Sequence, residues 1–415
     1  MSKIIYLIEQ PLDDWNYDRF GIQTWINRGW KVEVWDVTPL LQPRVWQSHI
    51  ELAGKLKAFN GYFPIASNSQ LEQRYSGAGK IDYFIDFAGD TYTSLRIKLR
   101  LVKLGAIRVI CAIGSIPVPG GPEDSGVVRK LRKAFAVGPI KSLKLLTNAL
   151  MLKVIAPSIR AGLTVVSGES SVPSVCGRDD QRIIKAHNLD YDIYTAIKKS
   201  LDRSAGEYAV FVDQDYCFHP EYIYQDAPAA VTPEKYFPAI CKGLRTISHA
   251  LGVDLRIAAH PRAGYQQRIA DYFEGIPIEY GRTAELIGNC KVAVCHDSTA
   301  IQLAVLFGKP VIFVTTDELN SVFFDSSFKS ESITSFASAL GKSVINLDSD
   351  LNCVNWKKEL SVDSTKYAEY RNRYIKIDGS PEIPHWDIVI THIENAVRRT
   401  SPGALEQVKS VNGNS

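Results

Sequence analysis

The chain has 415 residues, 45% of them apolar, and 22% charged residues that leave a formal net charge of +3. That length allows two or three domains with a sizeable core, and the near balance of charge argues against a dedicated nucleic-acid binder, which is usually strongly basic. Seven cysteines with no Cys-x-x-Cys pair argue against a zinc knuckle or a disulfide framework, so they read as reduced core thiols of a cytoplasmic protein.

In chain order, Ile4 to Ile8 is a short apolar run that predicts a buried strand. A helical stretch around Trp25 follows and stops near Gly29. Val32 to Val37 predicts a second strand, Tyr83 to Phe87 a third and Ile107 to Ile113 a fourth. The helical stretch Tyr92 to Leu104, with Gly105 as its stop, separates the last two. Leu163 to Val166 predicts another strand. Strands that alternate with helical spacers of this size predict βαβ units and a parallel sheet.

Between these strands, residues 117–122 read as a surface loop and 127–153 as a basic, partly amphipathic stretch. The plain reading of that stretch is a solvated helix face; the sharper one is a surface that meets anionic lipid or an anionic acceptor. No run approaches the ~18 apolar residues of a membrane span, and the N-terminus lacks the apolar core of a secretory signal.

A second unit begins near Glu207 with the strand Tyr208 to Val212. Thr232-Pro233 opens a helix that runs to about Leu251 and is stopped by Gly252. Strands at 255–259, 277–280, 292–295 and 311–314 follow, then elements at 344–350 and 386–399. The expectation is an α/β protein of two Rossmann-like domains facing a cleft. Residues 1–190 form the acceptor-side domain and 207–385 the donor-side domain. Residues 386–400 form a helix that crosses back to the first domain, and 401–415 a polar tail or linker.

In open parallel sheets, ligands bind at the carboxyl ends of the strands. His260-Pro261-Arg262 ends one predicted strand. Proline keeps the preceding residue extended, so His260 projects at a defined angle, and Arg262 suits a phosphate oxygen pair. Ser298-Thr299 lies between the strand 292–295 and an apolar stretch closed by Gly308, where a helix N-terminus offers unpaired N–H groups; simple capping by Asp297 or Ser298 is the plain reading.

Asp213 and Asp215 end the strand 208–212 and could serve as nucleophile, base or ion ligands, or only cap a loop. Glu169, after the strand 163–166, would face the same cleft as an acid or base, and Glu9-Gln10, ending the first strand, is another cleft candidate of similar weight. Tyr280-Gly281 could contact a base or form a turn. No His/Cys cluster has metal-ligand spacing, and the Gly-x-Gly-x-x-Gly fingerprint is absent.

With His260-Pro261, Ser298-Thr299, Gly308-Lys309-Pro310-Val311 and Val212-Asp213-Gln214 on view, residues 207–316 resemble CMP-sugar-dependent bacterial glycosyltransferases of the GT-B type. That group includes polysialyltransferases and the Kdo transferases of capsule and lipopolysaccharide synthesis. The resemblance implies that His260, Ser298 and Thr299 hold the CMP moiety or its phosphate; the residue chemistry above adds Pro261, Arg262, Tyr280 and Gly281 as nucleotide-binding candidates. It leans toward the retaining β-Kdo transferases, with Asp213 as nucleophile, Asp215 next, and Glu169 as acid or base.

It implies a CMP-sugar donor and a saccharide or lipid-linked glycan acceptor. No cofactor or metal is implied. The expected place of work is the cytoplasm, at the inner face of the inner membrane if residues 129–153 touch lipid. The competing readings are an inverting sialic acid transferase, a metal-dependent transferase using Asp213 and Asp215, a sugar-nucleotide epimerase, and a non-catalytic sugar-nucleotide-binding module.

Overall fold

The computed structural model describes residues 2–52, 56–119, 154–172, 182–201, 206–219, 222, 228–324 and 327–400. The basic stretch 129–153 and the tail 401–415 lie outside them.

Strand β1 (Lys3–Ile8) is buried along its whole length. Its unbroken apolar run is what a strand covered on both faces needs, where alternation would leave one face wet. β2 (Lys31–Asp36), β3 (Tyr62–Pro64), β4 (Tyr83–Phe87), β5 (Ile107–Ala112), β6 (Leu163–Val166) and β7 (Ile183–Lys185) complete a sheet ordered β3-β2-β1-β4-β5-β6-β7. All its pairings are parallel.

The second sheet repeats the plan. β8 (Tyr208–Val212) is its fully buried centre. β9 (Asp254–Ala258), β10 (Ile278–Glu279), β11 (Val292–Cys295) and β12 (Val311–Thr315) join it. A short hairpin, β13 (Phe323–Phe324) and β14 (Ser327–Phe328), stands apart, and β15 (Val344–Asn346) closes the order β10-β9-β8-β11-β12-β15. This sheet too is parallel throughout. Both orders are the doubly wound pattern, with a switch point between β1 and β4 in one sheet and between β8 and β11 in the other.

The helices start and stop for local reasons. Tyr92–Lys103 opens with a reciprocal capping box between Thr91 and Ser94. Pro233–Leu251 carries proline in its first turn and ends on Gly252 in the left-handed conformation, φ 60°. Four short strands, β3, β7, β13 and β14, escape the sequence reading. No described helix is long and apolar enough to cross a membrane.

The chain crosses between the units more than once. The helix Leu189–Ile197 packs on the second unit, with Tyr191 in that unit's core. The stretch after Tyr370 returns: Ile377 N donates to Ser167 O at 2.7 Å and Asn188 N to Ile375 O at 2.8 Å. The helix His385–Thr400 then lies on the first sheet. Its Ile388, Val389, Ile390 and Ile393 share a core with Ile4, Tyr6 and Trp25. Trp386 Nε1 donates to Arg19 O at 2.9 Å, and Arg28 pairs with Asp387 at 3.0 Å.

Gly21 makes this docking possible. It sits at φ 61°, and a Cβ there would overlap the Trp386 ring. Gly21→Ala is expected to cost about 3 kcal/mol or more, from the left-handed backbone and the displaced indole together. Urea unfolding followed by tryptophan fluorescence measures it. A change under about 0.5 kcal/mol, the size of an ordinary surface substitution, would refute this anchoring role.

Candidate functional site

The site is built on the carboxyl edge of the second sheet. β8 ends in Asp213, whose N–H donates to Ala258 O at 3.0 Å and so continues the β8–β9 ladder. Asp213 is 2% exposed, and both carboxylate oxygens are engaged. Oδ1 accepts from Asp215 N at 3.1 Å. Oδ2 accepts from the Tyr265 hydroxyl at 2.9 Å and from His260 N at 3.4 Å. Burial raises its pKa, against the pull of these donors. Asp213 thereby fixes where the backbone of His260 leaves β9.

His260 is held from a second side. Its Nδ1 accepts from Arg262 N at 3.2 Å, so in the neutral ring the proton sits on Nε2. Burial, with the neighbouring His219 and Arg262, lowers its pKa to about 4. At neutral pH His260 is therefore an uncharged Nε2–H donor. The His219 ring lies edge-on to it at 4.8 Å between centroids.

Asp215 differs from Asp213. It is 1% exposed, adopts a left-handed backbone at φ 52°, and its Oδ1 finds no hydrogen-bond partner. A non-glycine residue in that conformation with an orphaned buried oxygen is held by its surroundings. Burial and the adjacent Asp213 charge raise its pKa to about 7, with Arg268 opposing. Asp215 is thus poised to exchange a proton near neutrality.

Across the switch point, β11 runs into His296, Asp297, Ser298 and Thr299. His296 is a core residue: Nδ1 donates to Val314 O at 2.6 Å, Nε2 accepts from Tyr236 at 2.9 Å, and burial lowers its pKa to about 4. Asp297 does not cap the following helix. Its Oδ2 pairs with Lys329 at 2.8 Å, while Oδ1 accepts from the Tyr216 hydroxyl and from Gln214 Nε2 at 3.0 Å. Gln214 Oε1 in return accepts from Asp297 N at 3.2 Å, so the two residues clamp the ends of β8 and β11 together.

Ser298 Oγ accepts from Ala300 N at 3.2 Å, a local turn ahead of the helix, whose N-cap Ala300 makes no side-chain capping bond, and Thr299 is exposed. The helix itself begins only at Ile301 and has 7 residues. At the end of β10, Tyr280 is half-buried against the domain core and Gly281 turns the chain at φ 69°. The structure therefore brings Asp213, Asp215, His260, Pro261 and Arg262 into one bonded group beside Gln214 and Asp297.

Glu169 stands elsewhere. Gly168 is pressed against the Arg373 carbonyl and Ser170 Oγ donates to it at 2.7 Å. Glu169 lines a groove of about 890 Å³ with Ile183, Ile383 and Ile388. Among the described residues no contact links it to Asp213, Asp215 or His260, which corrects the expectation that it faces them. The strand before it, β6, stands three places from β1, away from the switch point.

The first sheet's switch point holds Glu9 instead. Its Oε2 accepts from Gly89 N at 2.8 Å and its Oε1 from Gln42 at 2.6 Å, tying the ends of β1 and β4. The helices that follow β1 and β2 carry residues that the sequence reading passed over. Burial lowers the pKa of Arg19 against the opposing charge of Asp190, and burial lowers that of His49 against Asp13, with the Arg262 charge adding a smaller push to each. Arg19 follows β1 and His49 follows β2, so the Arg262 charge at the carboxyl edge of the second sheet is felt at the carboxyl edge of the first. No local sequence pattern marks this, because the partners are more than 200 residues apart. Among the described residues no three His, Cys, Asp or Glu side chains converge as a metal ligand set.

No protein-family model matches the chain, and no curated protein matches it. Solved structures align over most of its length at low identity. MurG of Acinetobacter baumannii shares 10% identity at a TM-score of 0.45, over 94% of this chain and 99% of that one. The calicheamicin glycosyltransferase CalG4 shares 12% at 0.49, over 97% and 99%. UDP-GlcNAc 2-epimerase of Methanocaldococcus jannaschii, in complex with UDP-GlcNAc and UDP, shares 14% at 0.44, over 89% and 99%. The fold rests on this chain's own strand order: two doubly wound parallel α/β units.

Proposed function

We propose that the chain is a GT-B-type glycosyltransferase that uses a CMP-activated acidic sugar, with Kdo favoured, and a saccharide or lipid-linked glycan acceptor. The observation that supports this most is His260. It is fixed at the sheet edge by Asp213 and Arg262 N as a neutral Nε2–H donor, beside the Arg262 guanidinium. A CMP-sugar loses a single phosphodiester group, and the charge that grows on the departing phosphate is met by such preorganised donors without a metal. Arg19 on the opposite edge suits an acidic substrate, with His49 beside it as an uncharged hydrogen-bonding group.

In this reading Asp213 is a positioning residue and Asp215 the group that carries a proton. Attack by Asp213, as a retaining double displacement requires, would break its bonds to Tyr265 and His260. The bonded geometry favours direct displacement.

Thermal shift with CMP, UDP and GDP, without added metal, is the test. CMP alone is expected to stabilise the chain. His260→Ala is expected to weaken CMP about tenfold or more, the worth of one hydrogen bond to a charged group. Equal stabilisation by UDP or GDP, or a requirement for a divalent ion, would sink the donor assignment. A covalent sugar adduct trapped at Asp213 would replace direct displacement by the two-step route.

A further inference from the structure

Outside the cleft lies a second cavity of about 490 Å³. One wall is the helix Leu189–Ile197 with Lys198 at its C-cap. Another is Tyr367 and Arg371, from the helix Ser364–Tyr370 and the turn after it. Glu382 stands on the rim. The walls are thus the helix that enters the second unit and the segment that leaves it.

The charges in this cavity are unevenly satisfied. Glu382 is engaged: it accepts from the Tyr191 hydroxyl at 2.5 Å and pairs with Lys376 at 3.4 Å. Lys198 Nζ instead lies 5.1 Å from the Tyr194 ring centroid, and Arg371 Cζ lies 5.7 Å from that of Tyr191. Among the described residues neither cation comes within ion-pair distance of a carboxylate, although the Arg371 charge is felt at Glu382. A cation resting on an aromatic face keeps part of its charge available to a ligand, since the ring supplies only a weak quadrupole. The volume falls in the range of small-molecule pockets and exceeds what a bare oxyanion fills.

We propose that this cavity binds an acidic monosaccharide unit. Its carboxylate would lie between Lys198 and Arg371, and its ring hydroxyls would meet Glu382 and the Tyr194 hydroxyl. Lysine and arginine recognise the carboxylate, and arginine does so through its planar fork. The Glu382 carboxylate accepts from hydroxyls and repels a second anionic group, which separates a hydroxylated mono-anion from a polyphosphate. The site does not depend on the donor assignment.

The test is calorimetric titration of the full chain with D-glucuronate, N-acetylneuraminate, methyl glucoside and inorganic phosphate, each alone and with saturating CMP. The two acidic sugars are expected to bind, the neutral sugar and phosphate are not, and CMP is expected to leave the binding unchanged. Lys198→Ala with Arg371→Ala should weaken acidic-sugar binding tenfold or more, while Lys198→Arg with Arg371→Lys should retain most of it. No binding, equal binding of phosphate, displacement by CMP, or full binding in the double alanine variant would each overturn the proposal. Acidic-sugar binding that persists in a chain blind to CMP would sink only the donor assignment.

Discussion

Asp215→Asn is expected to make the chain more stable at pH 8 by up to about 4 kcal/mol. The folded protein holds the Asp215 proton up to about pH 7, whereas an exposed aspartate loses it near 3.8. Between those values the folded state binds a proton that the unfolded chain does not, so stability falls as pH rises through the window. The contribution is fully present below pH 3.8 and gone above about 7. Some three pKa units at about 1.4 kcal/mol each set the size.

Asparagine is neutral at every pH and accepts the left-handed backbone that Asp215 adopts at φ 52°. Its amide still needs a partner where Oδ1 has none, so the figure is an upper bound. Urea unfolding from pH 4 to 8 reads the effect. The two stability curves should meet near pH 4 and part steadily above it. Parallel curves, or a variant weaker at pH 8, would show that Asp215 is not protonated in the folded state. If Asp215 also carries the catalytic proton, the stabilised variant loses turnover while CMP still shifts its melting, a trade of stability for activity.

What the sequence discloses and what it hides follow from distance along the chain. β1 and β8 are legible because a strand buried on both faces must be apolar at every position. β3 is not, because Tyr62-Phe63-Pro64 is 3 residues long, half-exposed and contains proline. His260 is legible because Pro261 restricts it locally. Asp213 can be placed at a strand end but not given a role, since its partners His260 and Tyr265 lie 47 and 52 residues away.

Glu169 shows the limit most clearly. The rule that ligands gather at strand ends is sound, yet only the ends beside a switch point line the crevice, and strand order is invisible in one sequence. β6 lies beyond β5 in the sheet, so Glu169 lands on another groove, while Glu9, ending β1, lies at the switch point. The helix after β11 starts later than its apolar pattern suggests, because Asp297 turns to Lys329 and Gln214 and leaves Ser298 to close the turn.

That diversion makes Asp297→Ala the other large effect expected, a loss of about 3–5 kcal/mol. The Asp297 side chain is 5% exposed and Lys329 15%. Burial alone would raise the Asp297 pKa, but the Lys329 charge and the Lys329, Tyr216 and Ser332 donors overrule it and hold the carboxyl below its usual value. Alanine leaves a largely buried ammonium, the Tyr216 hydroxyl and the Gln214 amide without this acceptor, and it opens the clamp between β8 and β11 that sets the Ser298-Thr299 turn. CMP binding should weaken with stability, because Gln214 lies between Asp213 and Asp215.

Asp297→Asn keeps an acceptor for Tyr216 and is expected to lose less. The double change Asp297→Ala with Lys329→Met removes both charges and should recover part of the loss, since a buried ammonium that has lost its carboxylate costs more than an absent pair. Denaturant unfolding of the three variants decides it. If the double variant is weaker than the single by the full Lys329→Met cost, the pair is not coupled and the clamp is held by Gln214 and Tyr216 alone. If it recovers, the ion pair is what fixes the end of β11, and the cleft edge owes its shape to a contact between residues 32 positions apart.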